Sequence, residues 1–118
     1  ELQSRLTACE SAGVDLSRVV VDPGLGFAKE GSHNWALLAN FDRLLMLERP
    51  VLIGASRKRF LGELLAGAGG EPRAMEDRDA AGDAVVALAA RAGAWGVRVH
   101  EVAAARDAVL VASAWSEG

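Results

Sequence analysis

Three short apolar runs leave this chain few architectures. They are Val19-Val20-Val21, Pro50-Val51-Leu52-Ile53 and the "WGVRVHE" segment at 95–101. The first two have no polar alternation, the pattern of strands covered on both faces, as parallel strands are. In the third, the period of two sends Val97 and Val99 one way and Arg98 and His100 the other. Asp22 closes the first run and Pro23-Gly24 ends it.

Helical spacing fills the gaps. "ELQSRLTACESAGV" carries Leu2, Leu6, Cys9 and Ala12 on one face, with Gly13 where a helix-ending glycine stands. That reading makes Cys9 a core residue and starts the chain inside a helix, as a piece cut from something longer would. A second helix is predicted over 34–47, with Ser32 as N-cap and Leu37, Leu38, Phe41, Leu44 and Leu45 as its apolar face. "RKRFLGELLAG" reads as a short helix closed by Gly67, followed by a polar loop over 68–77. Helices over 77–92 (Ala81, Val85, Leu88 and Ala89 inward) and 102–115 (Val102, Val109, Val111, Ala112 and Trp115 apolar) complete the chain.

The order is therefore α-β-α-β-α-α-β-α. Strands alternating with helices imply a parallel sheet with right-handed crossovers. An open three-stranded sheet would leave two strands of buried type as edges. An arc of a closed TIM (β/α)8 barrel, which needs about 250 residues, fits better. The 118 residues then form one partial domain, 1–118, of about three strands and their helices.

Composition narrows the partners. Acids and bases are interspersed and the net charge is −3, so no broad basic face is available for nucleic acid. No apolar run nears the roughly 20 residues of a membrane helix, and no signal peptide opens the chain. The single cysteine, Cys9, forms no internal disulfide, which makes a reducing cytoplasm the default expectation. The sequence has no P-loop and no Cys/His metal cluster, and the G-x-G of "DPGLGF" is a weak phosphate signal.

Polar residues gather where the strands stop: Asp22, then Ser56, Arg57 and Lys58, then Arg98 and His100. Parallel strands bring such ends to one face, where sites of these folds are built. An acid, an amine, a guanidinium and an imidazole in one bowl suit a flat, hydrogen-bonding heterocycle beside an anion. Each residue also has a plainer reading. Asp22 before Pro-Gly is placed to accept turn amides. Arg57, Lys58 and Arg59 are solvated loop charges in that reading, although cations are disfavoured at a helix start unless an anion is near. Arg98 and His100 become polar partners of Asp22 or Glu101. Lys29 and His33 read as surface residues, and Trp35, Trp95 and Trp115 as packing or interface residues.

Three stretches together, "VVVDPGLGFAK", "PVLIGASRKRFLG" and "GVRVHEV", resemble the last three strand ends of dihydropteroate synthases, in wording closest to actinobacterial forms. The likeness spans nearly all 118 residues and corresponds to the C-terminal part of that barrel. It implies condensation of a dihydropterin methyl diphosphate with p-aminobenzoate, giving dihydropteroate and diphosphate in folate synthesis. It also implies sulfonamides as inhibitors, a homodimer formed through late helices, and Mg2+ with a ligand from the earlier strands.

Residue by residue, the resemblance assigns the pterin to Asp22, Lys58 and Arg98, and the diphosphate to Arg98 and His100. It assigns p-aminobenzoate to Phe27, Ser56 and Arg59, with its carboxylate at the start of the helix near 57–60. Many relatives carry Ser after the "SRK" lysine; here Arg59 stands there. The family's first five strands supply further contacts and two mobile loops, so the 118 residues alone are expected to be inactive. Two other readings stand beside this one. A pterin-binding methyltransferase of the related barrel family shares the aspartate but lacks the "SRK" and "RVH" pair, and a non-catalytic relative would show decay in "DPGxGF" or "SRK".

Overall fold

The computed structural model describes residues 1–27 and 31–118. Its elements run α1 (Leu2–Ser11), α2 (Gly31–Ala39), α3 (Phe41–Leu45), β1 (Leu52–Ile53), α4 (Arg59–Leu64), α5 (Asp79–Ala92), β2 (Gly96–Val97) and α6 (Val102–Glu117), with 3-10 turns at Leu16–Arg18 and Met75–Asp77. β1 and β2 pair in parallel, Leu52 opposite Gly96 and Ile53 opposite Val97. Val21 makes a parallel bridge to Val51 on the other side of β1. Three parallel segments therefore lie in the order Val21, β1, β2, as the alternation of strands and helices required.

The valine run is less of a strand than its sequence implies. It is one bridge long, held by Val21 N–H on Pro50 O at 2.8 Å and Leu52 N–H on Val21 O at 2.8 Å. Nor is it covered on both faces: Val21 is buried while Val20 is 40% exposed. The reason is parity. Val21, Val51 and Ile53 point to the helices and belong to the core with Leu25, Phe41, Phe60, Leu61, Val85 and Ala89. Val20, Leu52, Gly54, Gly96 and Arg98 alternate to the opposite, concave face. A Cβ at Gly96 would meet Leu52 Cδ1 at 3.5 Å, which puts those two on one side.

Several helix boundaries depart from expectation for local reasons. The helix predicted over 34–47 is two helices, parted at Asn40, which leaves the helical conformation at φ −108°, ψ 38° while its side chain and its N–H both donate to Ala36 O, at 2.7 and 3.1 Å. Ser32 lies inside α2, which begins at Gly31, so it is not the cap. α4 stops at Leu64, before Gly67. α1 ends as its sequence indicates: Gly13 takes φ +89°, with Gly13 N–H on Glu10 O and Val14 N–H on Cys9 O, the paired bonds of a glycine-terminated helix. Only Leu6 of α1 is buried, however, and Cys9 is half-buried rather than core.

The last two helices pack through small residues. α6 buries Ala105 and Ala112, while Val102, Val109, Val111 and Trp115 of its expected apolar face are exposed. On α5, Gly82, Val85, Val86 and Ala89 are buried, and Leu88 is 70% exposed rather than inward. Alanines and glycine let the helices approach closely, which turns the larger side chains outward. Trp35 is a packing residue, edge-on to Phe60 with ring centroids 5.1 Å apart; Trp95 and Trp115 are exposed.

Candidate active site

All the singled-out polar ends lie on the loops that follow Val21, β1 and β2. Asp22 accepts from Gly24 N–H at 2.9 Å through Oδ1 and from Arg98 Nη1 at 2.9 Å through Oδ2. Both plain and sharp readings of Asp22 are therefore present at once, one oxygen serving the turn and the other facing the mouth. Burial pushes the carboxyl up, but the Gly24 amide, Arg98 and Lys58 together hold it below the usual carboxylate value. Arg98 reaches Asp22 by lying across the backbone of Gly54: a Cβ there would stand 2.8 Å from Arg98 Cζ.

Lys58 turns toward the first loop. Its ammonium donates to Leu25 O and stands 4.8 Å from the Phe27 ring centroid, a cation–π distance. The loop is held from behind by Asn34, which is buried and accepts Gly26 N–H at 2.9 Å. Helical spacing alone marks Asn34 only as a helix start. A buried polar residue carrying a loop has no periodicity to announce it.

Two concavities flank Lys58. One, of about 170 Å³, is lined by Gly54, Ser56, Lys58, Arg98, Val99 and His100. The other, of about 540 Å³, has Phe27, Ser32, Lys58, Arg59, Phe60 and Glu63 in its wall. Lys58, Arg98 and His100 thus share the smaller concavity, and Asp22, which lines a separate groove beside α1, joins them through its 2.9 Å contact with Arg98. Phe27 and Arg59 share the neighbouring cleft.

Ser56 stands with the first group rather than the second. Its Oγ is 2.9 Å from His100 Nδ1 and accepts His100 N–H at 3.1 Å. Arg57 leaves the mouth altogether: Nε and Nη2 fork onto Asp79 at 2.9 and 3.0 Å, and Nη2 is 3.4 Å from Glu101. The hydrogen bonds to Arg57 hold the Asp79 carboxyl below its ordinary range, and those to Asp79 raise the Arg57 guanidinium. Arg59 is paired on its own helix with Glu63 at 2.9 Å. α4 is six residues long, so its dipole gives little help to an anion at its start. His33 is exposed as expected, and Lys29 lies outside the described residues.

Among the described residues no group of three or more His, Cys, Asp or Glu side chains is arranged to hold a metal ion. The described donors do not by themselves make up a magnesium site. No helix of the described residues is long and apolar enough to cross a membrane.

Comparison with known proteins identifies the family. Residues 1–100 match the family described as pterin binding enzyme. The dihydropteroate synthase of Mycobacterium leprae is 57% identical over 105 residues, covering 89% of this chain and 37% of that protein. That of Streptococcus pyogenes serotype M1 is 46% identical over 112 residues, covering 95% and 41%. Among solved structures, the Xanthomonas albilineans dihydropteroate synthase in complex with 7,8-dihydropteroate superposes with a TM-score of 0.90 at 45% identity, over 99% of this chain and 43% of that one. The same enzyme with 4-aminobenzoic acid gives 0.86 at 46% identity, over 97% and 41%. The chain spans about two fifths of the length of these relatives.

Proposed function

Because the chain belongs to the family of pterin binding enzymes, we propose that it forms the C-terminal arc of a TIM-barrel dihydropteroate synthase. The observation that carries this reading is the convergence of Asp22, Lys58 and Arg98, with Asp22 and Arg98 in contact at 2.9 Å. A carboxylate between two cations is built for a flat heterocycle that offers N–H groups on one edge and a carbonyl on another.

In this proposal Asp22 accepts from the pterin's amino and ring N–H groups, and the Oδ2 now on Arg98 is the oxygen turned to the ligand. Lys58 donates to the carbonyl side. Arg98 has a planar, permanently charged guanidinium, so it lies against the ring while its N–H groups reach the diphosphate beside His100. The p-aminobenzoate occupies the neighbouring cleft with Phe27 and Arg59. Ser56 serves it only indirectly, since its hydroxyl is engaged by His100. Diphosphate leaves from a pterin methyl carbon that gains positive character, so the contribution of these residues is positioning and charge stabilisation.

Magnesium, a homodimer and a cytoplasmic location belong to the same proposal. The metal would draw its ligands from residues outside this chain. The exposed Leu88, Val111 and Trp115 of α5 and α6 offer an apolar patch for a second copy. The test is complementation. The 118 residues are mixed with the N-terminal three fifths of the M. leprae relative, and diphosphate release from dihydropterin methyl diphosphate and p-aminobenzoate is followed. Release by the pair and none by either part is the expected result. A pair that assembles yet binds no pterin diphosphate would refute the assignment.

A further inference from the structure

We propose that Arg57 is a positioning residue whose clasp onto Asp79 aims its neighbours, Ser56 and Lys58, at the two halves of the mouth. The inference deepens the proposed function and rests on it only for the identity of the ligand. Ala55 to Lys58 form a turn closed by Lys58 N–H on Ala55 O at 3.1 Å. Arg57 is its third residue, at φ +59°, a left-handed conformation that glycine takes freely and arginine does not. A non-glycine residue kept in that region is a reason to ask what its side chain does.

Here the side chain fastens the loop to two other elements. The guanidinium fork lands on Asp79, the first residue of α5, and its Nη2 also reaches Glu101, which precedes α6. The backbone is pinned as well, because Arg57 O accepts from Arg78 Nη1 at 2.8 Å. Arg78 is 9% exposed and its Nε donates to Arg73 O at 2.7 Å; Gly62 makes room, since a Cβ there would stand 2.8 Å from Arg78 Cζ. With Arg57 drawn outward, its two neighbours are left facing the mouth. Ser56 meets His100, and Lys58 meets Leu25 O and Phe27. The clasp also joins the loop after β1 to the segment after β2, so the two rims move together.

The experiment separates aiming from folding. Arg57→Gly removes the clasp while relieving the backbone, and Asp79→Asn weakens the clasp with Arg57 in place. In the 118-residue chain, the 15N signals of Lys58 Nζ and the His100 ring are recorded alongside the denaturation midpoint. In the assembly with the M. leprae N-terminal part, affinity for a dihydropterin is measured. The expected result is a near-native midpoint, Lys58 and His100 signals shifted to those of solvated side chains, and affinity lowered about tenfold. Asp79→Asn behaves alike, the double variant is no worse than either single one, and Arg57→Lys, which keeps the charge without the fork, does not restore binding. Native Lys58 and His100 signals in Arg57→Gly, or losses that add in the double variant, overturn the inference. Were the wild-type assembly to bind no pterin, the functional reading would fall, and the two side-chain signals would still decide the clasp.

Discussion

Adding one methyl group at Gly54 should uncouple Arg98 from Asp22 without unfolding the protein. The added Cβ would stand 2.8 Å from Arg98 Cζ and 3.2 Å from Nε, well inside carbon and nitrogen contact distance. Gly54 has no positive φ, so alanine meets no backbone strain there, and the three atoms nearest the added Cβ all belong to Arg98. Arg98 is half exposed and has room to swing away, which makes the steric cost small. What is lost is the 2.9 Å contact to Asp22 Oδ2, a partly exposed pair worth about 0.2–1 kcal/mol. Gly→Ala at an unstrained position returns about 0.4–1 kcal/mol by restricting the unfolded chain. The two terms nearly cancel, so the urea midpoint should barely move.

The effect should surface in charge and binding instead. Without Arg98, burial pushes the Asp22 carboxyl up against fewer opposing groups, and its titration, followed by 13Cγ NMR, should shift upward. Dihydropterin affinity of the complemented barrel should fall about tenfold, the equivalent of roughly 1.4 kcal/mol. An unchanged Asp22 titration with native affinity would refute the claim that Arg98 is seated by the bare backbone of Gly54.

Two further outcomes follow from the same geometry. Leu61→Ala should cost about 2–5 kcal/mol, since Leu61 has no exposed surface and belongs to the same core cluster as Leu25, Ile53 and Phe60; a urea series on the chain reads it, and a loss under 1 kcal/mol would remove Leu61 from the core. Acid should weaken both stability and pterin affinity through Asp22. Its folded carboxyl sits below the usual value, so its contribution is fully present above about pH 4, the ordinary aspartate value, and is lost as pH falls through the folded pKa. Asp22→Asn should flatten that part of the acid limb of the stability curve, and an identical limb in the variant would count against it.

The order of elements and the shared side of the strand ends were readable because both rest on periodicity. Apolar runs of strand length and helical spacing are properties of neighbours in sequence. Asp22, Lys58, Arg98 and His100 came together for the same reason: parallel strands have their ends on one side, wherever the side chains finally point. The departures have two sources. Asn40 interrupts a helix locally, its side chain bonding Ala36 four residues back, which apolar spacing does not reveal; Leu88 lies outward while Gly82, Val85, Val86 and Ala89 are buried, and Arg57 is held by Asp79, 22 positions away, because contacts between distant residues decide. A cation run reads the same in sequence whether its members face a ligand or an internal carboxylate.

Internal carboxylates decide how a mouth of this kind handles anions. Of the cations in "SRKRF", Arg57 is met by Asp79 and Glu101, and Arg59 by Glu63. Lys58 and Arg98 share Asp22, which leaves the pterin-facing group with a single net positive charge, His100 aside. One charge is suited to orienting a neutral ring and too little to hold a diphosphate against water. Under the proposed function, affinity for the bare pterin should therefore depend chiefly on residues of this arc. Retention of the diphosphate must lean on groups outside it, because surplus charge here has been spent on fixing the loops that do the aiming.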